Sequence, residues 1–391
     1  MTVTMSTADH VLKTAYLDVV AEYLDYKANP FLAKIKKTTD NVYGKEIKKV
    51  VRRGINGAFS AGTEDGELPE ATGTNFAEFI LTLKNLYGTI EISDKAIRAS
   101  QNKSGAITNI LNDEMESLMK SAELNFSRML FGNQSGVVAT VTLMDYNKIY
   151  VDTVANIVPG MKIYFVKPDG RIVKEYPVEV LGVNKLENYI DFDMNKVLIS
   201  DFNIDDKLCI QSGYTNELTG LDSLFNDQIT HMYGLNKSDY PNLLAKTYYS
   251  VGNITEMKIQ KAIDEVEDSY GGKINFIVCS SGVKRALIEH MSTYKRNMDV
   301  LDLQGGYKTV SFNGIPVVSD RFCPSGTMYL LNTDDFAIHQ LCDWEWLEGE
   351  DGKILKQLPN KPVYRATLVK YADLLCSRPW AQVKLTDIVE N

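Results

Sequence analysis

The chain has 391 residues, 44% of them hydrophobic, and a formal net charge of −9. That length exceeds what one hydrophobic core usually serves, so two or three domains are expected. The acidic balance argues against phosphate gripping as the main task, because a nucleic-acid binder normally shows a basic face, and it is equally that of many ordinary cytosolic enzymes. No apolar run approaches the roughly 20 residues that span a bilayer.

Met1 to His10 is polar and carries no basic patch leading into an apolar stretch, so no secretory signal and a cytosolic setting are expected. The five cysteines, Cys209, Cys279, Cys323, Cys342 and Cys376, are odd in number and widely spaced. With no CxxC pair and scattered histidines, they read as reduced, buried hydrophobes rather than a disulfide framework or a zinc site.

Residues 7–24 read as an amphipathic helix, with Thr7 as cap and Val11, Leu12, Ala15, Val19 and Tyr23 at helical spacing; Asn29-Pro30 ends it. Residues 44–58 and 76–92 read as two long strands, the second rich in β-formers from Phe76 to Ile92. Strands of about 15 residues reach on the order of 50 Å, and so long a hairpin is not stable by itself. It must lie on its own chain or on another subunit.

Charge is split across this hairpin. Nine Lys or Arg fall between Lys27 and Arg53, among them Lys45, Lys48, Lys49, Arg52 and Arg53. The stretch Thr63 to Glu78 holds five acids and no base, with Glu64, Asp65, Glu67 and Glu70 at the tip. The blocks read either as two solvated surfaces or as complementary charges that set register and partner choice between subunits, and on the second reading these nine tip and base residues are the candidate inter-subunit contacts.

Residues 106–131 read as the longest helix, with a stripe from Ile107 through Met115, Leu118, Ala122 and Phe126 to Leu130, and Gly132 as the stop. The stretch 137–214 changes character. Short β-rich runs alternate with turn signals such as Pro168-Asp-Gly170, the pattern of a small barrel or sandwich inserted into the chain. Mixed structure resumes after Thr215. Asn253 is placed as the cap of a helix ending at Gly271-Gly272, then come a buried strand to Cys279, a helix capped by Ser280 or Ser281, and a strand-rich end closing with Tyr364–Leu374.

Candidate chemistry is sparse. GxGxxG, GxxxxGK[ST], HExxH and GxSxG are all absent from the sequence. Cys279-Ser-Ser-Gly282 sits on a strand–turn–helix where a nucleophile could lie, but serine there is a common helix cap and no histidine is tied to it. The acidic Glu64-Asp-Gly-Glu67 lacks the ligand spacing of an EF-hand. Trp344 and Trp346 share a strand face and read as core or subunit contacts. No catalytic, cofactor or metal residue is assigned.

The order of elements resembles the major capsid proteins of tailed bacteriophages, with the Hong Kong ninety-seven-type fold shared by encapsulins and herpesvirus capsid floors. Val310-Ser-Phe-Asn-Gly-Ile-Pro-Val-Val-Ser-Asp320 is similar to the family's G-x-P-V strand, and Gly326-Thr-Met-Tyr-Leu-Leu-Asn-Thr-Asp-Asp-Phe336 to the strand that follows it. The resemblance implies an α+β fold with an N-terminal arm (1–43), an E-loop hairpin (44–92), a spine helix within the P-domain (93–136), an inserted all-β domain (137–214) and the remaining P-domain and A-domain (215–391). It covers most of the chain except 137–214.

It implies a non-enzymatic subunit that self-assembles into an icosahedral head shell around the phage genome. Pentamers and hexamers of itself, scaffold, portal and decoration proteins, and weak non-specific contact with packaged DNA are the implied partners, with no membrane and no cofactor. Assembly is expected in the host cytoplasm and residence in the virion. Many relatives begin with a long scaffolding segment; here the arm follows Met1 almost directly, so an internal scaffold is not expected. A tail or decoration protein, or an enzyme with an unrecognised site, are the competing readings.

Overall fold

A computed structural model describes residues 29–68, 70–95, 106–145, 148–174, 176–192, 201–294, 300–303, 307–349 and 352–390. The amphipathic helix expected at 7–24 lies outside the described residues.

The architecture is α+β, with three apolar cores. The central layer is a sheet built on the long strand Val363–Cys376, which pairs antiparallel with Phe336–Trp346 on one side and with Lys84–Ser93 on the other. The short strand Lys36–Thr38 adds parallel to Phe336–Trp346 at the edge. Arg365 faces Glu91 across this sheet and pairs with it, the cross-strand ion pair that the register dictates.

The long helix runs from Ala106 to Leu130, and Phe126 and Met115 sink into the core beneath it. It crosses Lys84–Ser93 at Gly88, where a Cβ would come within 2.9 Å of Leu118 Cδ1. Glycine there lets helix and strand approach closely. Trp344 and Trp346 are both buried in this core, and Trp344 stands edge-on to Phe126 at 6.1 Å between centroids. The pair is therefore a core contact and not an exposed stacking platform.

A second core lies between a seven-stranded mixed sheet, with Phe276–Cys279 at its middle, and the helices Glu256–Tyr270 and Ser281–Tyr294. The first of these helices is capped by Thr255, whose side chain accepts from the Lys258 amide, and not by Asn253 as the sequence suggested. The true cap lies two residues on because Thr255, with φ −137° and ψ 156°, is the last extended residue. Gly271 closes the helix in the left-handed conformation.

The third core fills a closed six-stranded barrel formed by Val137–Asp145, Lys148–Val151, Lys162–Val166, Val178–Asn184, Tyr189–Phe192 and Lys207–Ile210. Val141, Ile149, Ile163, Ile190 and Leu208 point into it and are fully buried, alternating with outward residues as barrel strands require. The chain enters and leaves the barrel at one place. A Cβ on Gly136 would collide with the Gly213 carbonyl, and one on Gly220 with the carbonyls of Met129 and Gly132. Only glycine permits this crossing of backbones. The buried pair Arg128–Glu217, with Nη1 to Oε2 at 2.9 Å, ties the long helix to the returning segment.

All five cysteines are free, and four are buried. Burial pushes the thiols of Cys209 and Cys279 up to about 12, so neither is ionised at neutral pH.

The two hairpin strands are shorter than the sequence suggested. Glu46–Arg52 and Phe76–Thr82 form a ladder of 7 residues, about 23 Å long at about 3.3 Å each, not about 15 residues and 50 Å. The remainder of the second run, from Lys84, belongs to the central sheet.

Candidate assembly interface

The hairpin has two faces and a tip. Side chains alternate along its ladder, so Ile47, Val51, Ala77 and Phe79 share one face and are buried against the body. Phe79 packs on Tyr233 at 5.2 Å between ring centroids, and the Ile80 amide donates to the Tyr233 carbonyl at 2.9 Å. The base of the hairpin is thus supported by its own chain, one of the two supports the sequence left open.

The opposite face looks outward. It carries Lys48, Val50 and Arg52 on one strand, facing Ile80, Glu78 and Phe76 on the other. Tyr43, Val50 and Phe76 are each more than half exposed. Beyond Arg53, whose amide donates to the Asn75 carbonyl at 2.8 Å, the ladder ends and the chain runs as an extended tip. Asn56 holds its start by accepting from Ala58 N at 2.8 Å and from Thr72 Oγ1 at 3.2 Å.

The four tip acids, Glu64, Asp65, Glu67 and Glu70, are all exposed on this loop. The base cations are not gathered on one surface. Lys45 and Arg52 are exposed, and Lys48 lies 3.4 Å from Glu46 on its own strand. Arg53 stacks over the Tyr240 ring at 4.7 Å. Lys49 is on the inward face, near His339. Burial lowers the imidazole below its ordinary value and Lys49 pushes the same way, against the Asp40 carbonyl that Nδ1 meets at 2.8 Å.

Residue-type reasoning missed the apolar part of the tip. Ile55, Phe59 and Leu68 are 92%, 95% and 90% exposed, values far from those of ordinary folded hydrophobes. The signal was present, since large apolar residues inside a Gly- and Glu-rich loop have no strand or helix to serve.

Elsewhere the titratable groups are engaged structurally. Lys370 is buried on the central strand, where it meets Gln340 Oε1 at 2.8 Å and pairs with Asp343. Burial alone would raise the Asp343 carboxyl, but Lys370 and, at 3.2 Å, Lys37 hold it down at about 2. Ser280 caps the helix that begins at Ser281, accepting from Val283 N at 3.3 Å, and it also meets Glu390. The cleft beside Gly88, Leu118 and Asn216 has a volume of about 210 Å³, and its one carboxylate, Glu217, is neutralised by Arg128. Among the described residues no three His, Cys, Asp or Glu side chains come together to hold a metal, and no helix is long and apolar enough to cross a membrane.

Residues 188–351 match the sequence pattern of the SU10 major capsid protein family. Comparison with curated protein sequences gives no match. Among solved structures the chain is similar to a protein of the cyanophage A-1(L) capsid asymmetric unit, with a TM-score of 0.55 and 12% identity over 93% of this chain and 95% of that one. It also aligns with the SrpI encapsulin of Synechococcus elongatus PCC 7942 at a TM-score of 0.47 and 12% identity, covering 95% of each chain. The capsid protein of Myoviridae phage XM1 gives 0.46 and 9%, covering 92% of each. The cyanophage match alone carries the assignment of fold.

Proposed function

We propose that the chain is a major capsid protein of a tailed phage, a structural subunit of the head shell rather than an enzyme, and that it builds that shell by laying its hairpin on a neighbouring copy. The observation that carries the head-shell reading is the capsid-family match over 188–351, within a chain whose fold follows a cyanophage shell protein almost end to end.

In this reading the hairpin and tip at 44–92 act as an E-loop, Ala106–Leu130 as the spine helix, and the barrel as an inserted domain within 137–214. Residues 1–43 serve as an arm and 215–391 as the remaining P- and A-domains. The exposed acids Glu64, Asp65, Glu67 and Glu70 meet basic groups of a neighbour, with Lys45, Lys48, Lys49, Arg52 and Arg53 as the candidates. Lys49 reaches a partner only if the inward face opens. Pentamers and hexamers, an icosahedral shell around the genome, scaffold, portal and decoration proteins as partners, and assembly in the host cytoplasm complete the proposal.

Negative-stain imaging and sedimentation of the purified protein, alone and with its scaffold, test it. Capsomers or closed shells are expected. A monodisperse monomer under every condition would sink the reading.

A further inference from the structure

We infer that residues 386–390 form a releasable strap across one end of the second core, with the Glu390 carboxylate as its catch. The inference concerns the subunit by itself and does not rest on the shell reading above.

The strap leaves the seven-stranded sheet after Leu385 and is held on both flanks by backbone bonds. On one side the Val251 and Gly252 amides donate to the Thr386 and Asp387 carbonyls at 3.1 and 3.0 Å, and the Val389 amide donates to the Gly252 carbonyl at 3.1 Å. On the other side the Ile388 amide donates to the Gly326 carbonyl at 3.0 Å. Ile388 is buried and its side chain enters the second core, whereas Asp387, Val389 and Glu390 are exposed. The strap therefore joins the loop that leads into the helix Glu256–Tyr270 to the turn at Gly326.

Glu390 fastens the far end to a third element. Its Oε1 accepts from the Gly326 amide at 2.6 Å and from Ser280 Oγ, and Ser280 Oγ in turn accepts from the Val283 amide at 3.3 Å. The carboxylate thus completes the start of the helix Ser281–Tyr294. Gly282 makes the room, since it is buried and a Cβ there would collide with Oε2, Cδ and Cβ of Glu390. The turn at Cys279-Ser-Ser-Gly282, a possible nucleophile seat in the sequence, is the seat of this carboxylate instead. Exposed hydrogen bonds and one buried side chain put the strap at the low-stability end of the molecule, where segments open without global unfolding. Hydrogen bonds to a carboxylate are roughly twice as strong as neutral ones, so Glu390 sets how far that opening goes.

Amide hydrogen exchange of the full chain, read by mass spectrometry, tests the catch. Glu390→Ala should speed exchange at Gly252, Gly326, Ile388 and Val389 by about tenfold or more, the size expected for losing hydrogen bonds to a charged group. The amides of Phe276–Cys279, at the middle of the same sheet, should stay as protected as in the wild type. Glu390→Gln keeps an acceptor and should fall between the two. Gly282→Ala should act like Glu390→Ala although Glu390 is intact, because the new methyl group displaces the carboxylate. Gly282 is not in the left-handed conformation, so the backbone accepts alanine. Alanine favours a helix more than glycine does, so without the catch this variant would exchange no faster than the wild type. That result would overturn the inference, as would wild-type exchange in Glu390→Ala. Exchange that rises equally across Phe276–Cys279 would also overturn it, since Glu390 would then support the whole core rather than a strap.

Discussion

Asp373 stands at the middle of the central strand with its carboxyl entirely out of water. It accepts from Thr219 N at 2.7 Å, Thr219 Oγ1 at 2.9 Å and Leu374 N at 2.8 Å, so it clamps the segment that returns from the barrel. Burial raises the acid to about 7 against the help of those three donors and of Lys84. The sign follows from which state holds the proton. Below about pH 4 both folded and unfolded chains are protonated there. As pH rises the unfolded chain releases its proton first, so the stability linked to this group is full below about 4 and lost as pH climbs through about 7. Asn in place of Asp keeps an acceptor for Thr219 and does not ionise. Asp373→Asn should therefore gain on the wild type as pH goes from 5 to 8, read as Tm of the unassembled protein, by several degrees at the upper end. A gap that stays constant, or moves the other way, refutes this role for Asp373.

Elements were legible where one periodicity held from end to end. The helix to Leu130 and its Gly132 stop, the barrel runs and the strand Met328–Leu331 all emerged from pattern alone. The second hairpin strand did not, because it changes sheets without a turn. Phe79, Leu81 and Leu83 point inward at odd positions, but Leu86 and Ile90 do so at even ones. That slip in phase marks the switch at Leu83, whose amide still bonds the Lys45 carbonyl while Lys84 already faces Ala372. Within the barrel, Lys148–Val151 and Tyr189–Phe192 were too short for alternation to show. The buried pair Arg128–Glu217 could not be read at all, because nothing local links residues so far apart in sequence. The barrel itself closes its hydrogen bonding on its own strands and owns its core, and its two connections touch at Gly136 and Gly213. A unit with adjacent ends and a private core should fold alone. The excised segment 137–214 is expected to give a dispersed amide NMR spectrum; random-coil shifts would show that its stability is borrowed from the body.

At the scale of the whole molecule, the question is how weak surface charges act on a shell. Glu64, Asp65, Glu67 and Glu70 are exposed, and Lys45 and Arg52 among the base cations are exposed as well. A single exposed ion pair contributes only about 0.2–1 kcal/mol, so removing one acid should change little. In the proposed shell every subunit would repeat the contact, and closure would need all of them at once. Replacing the four acids together by Gln and Asn removes the whole block without touching the apolar residues beside it. The subunit should fold as before, because all four acids are exposed, and its circular dichroism spectrum should be unchanged. Assembly yield should drop. Salt should weaken wild-type assembly in the same direction, since at about 1 M the screening length shrinks to about 3 Å, while leaving the quadruple variant less affected. If the quadruple variant assembles like the wild type at both low and high salt, the charge blocks are solvated surface and take no part in assembly.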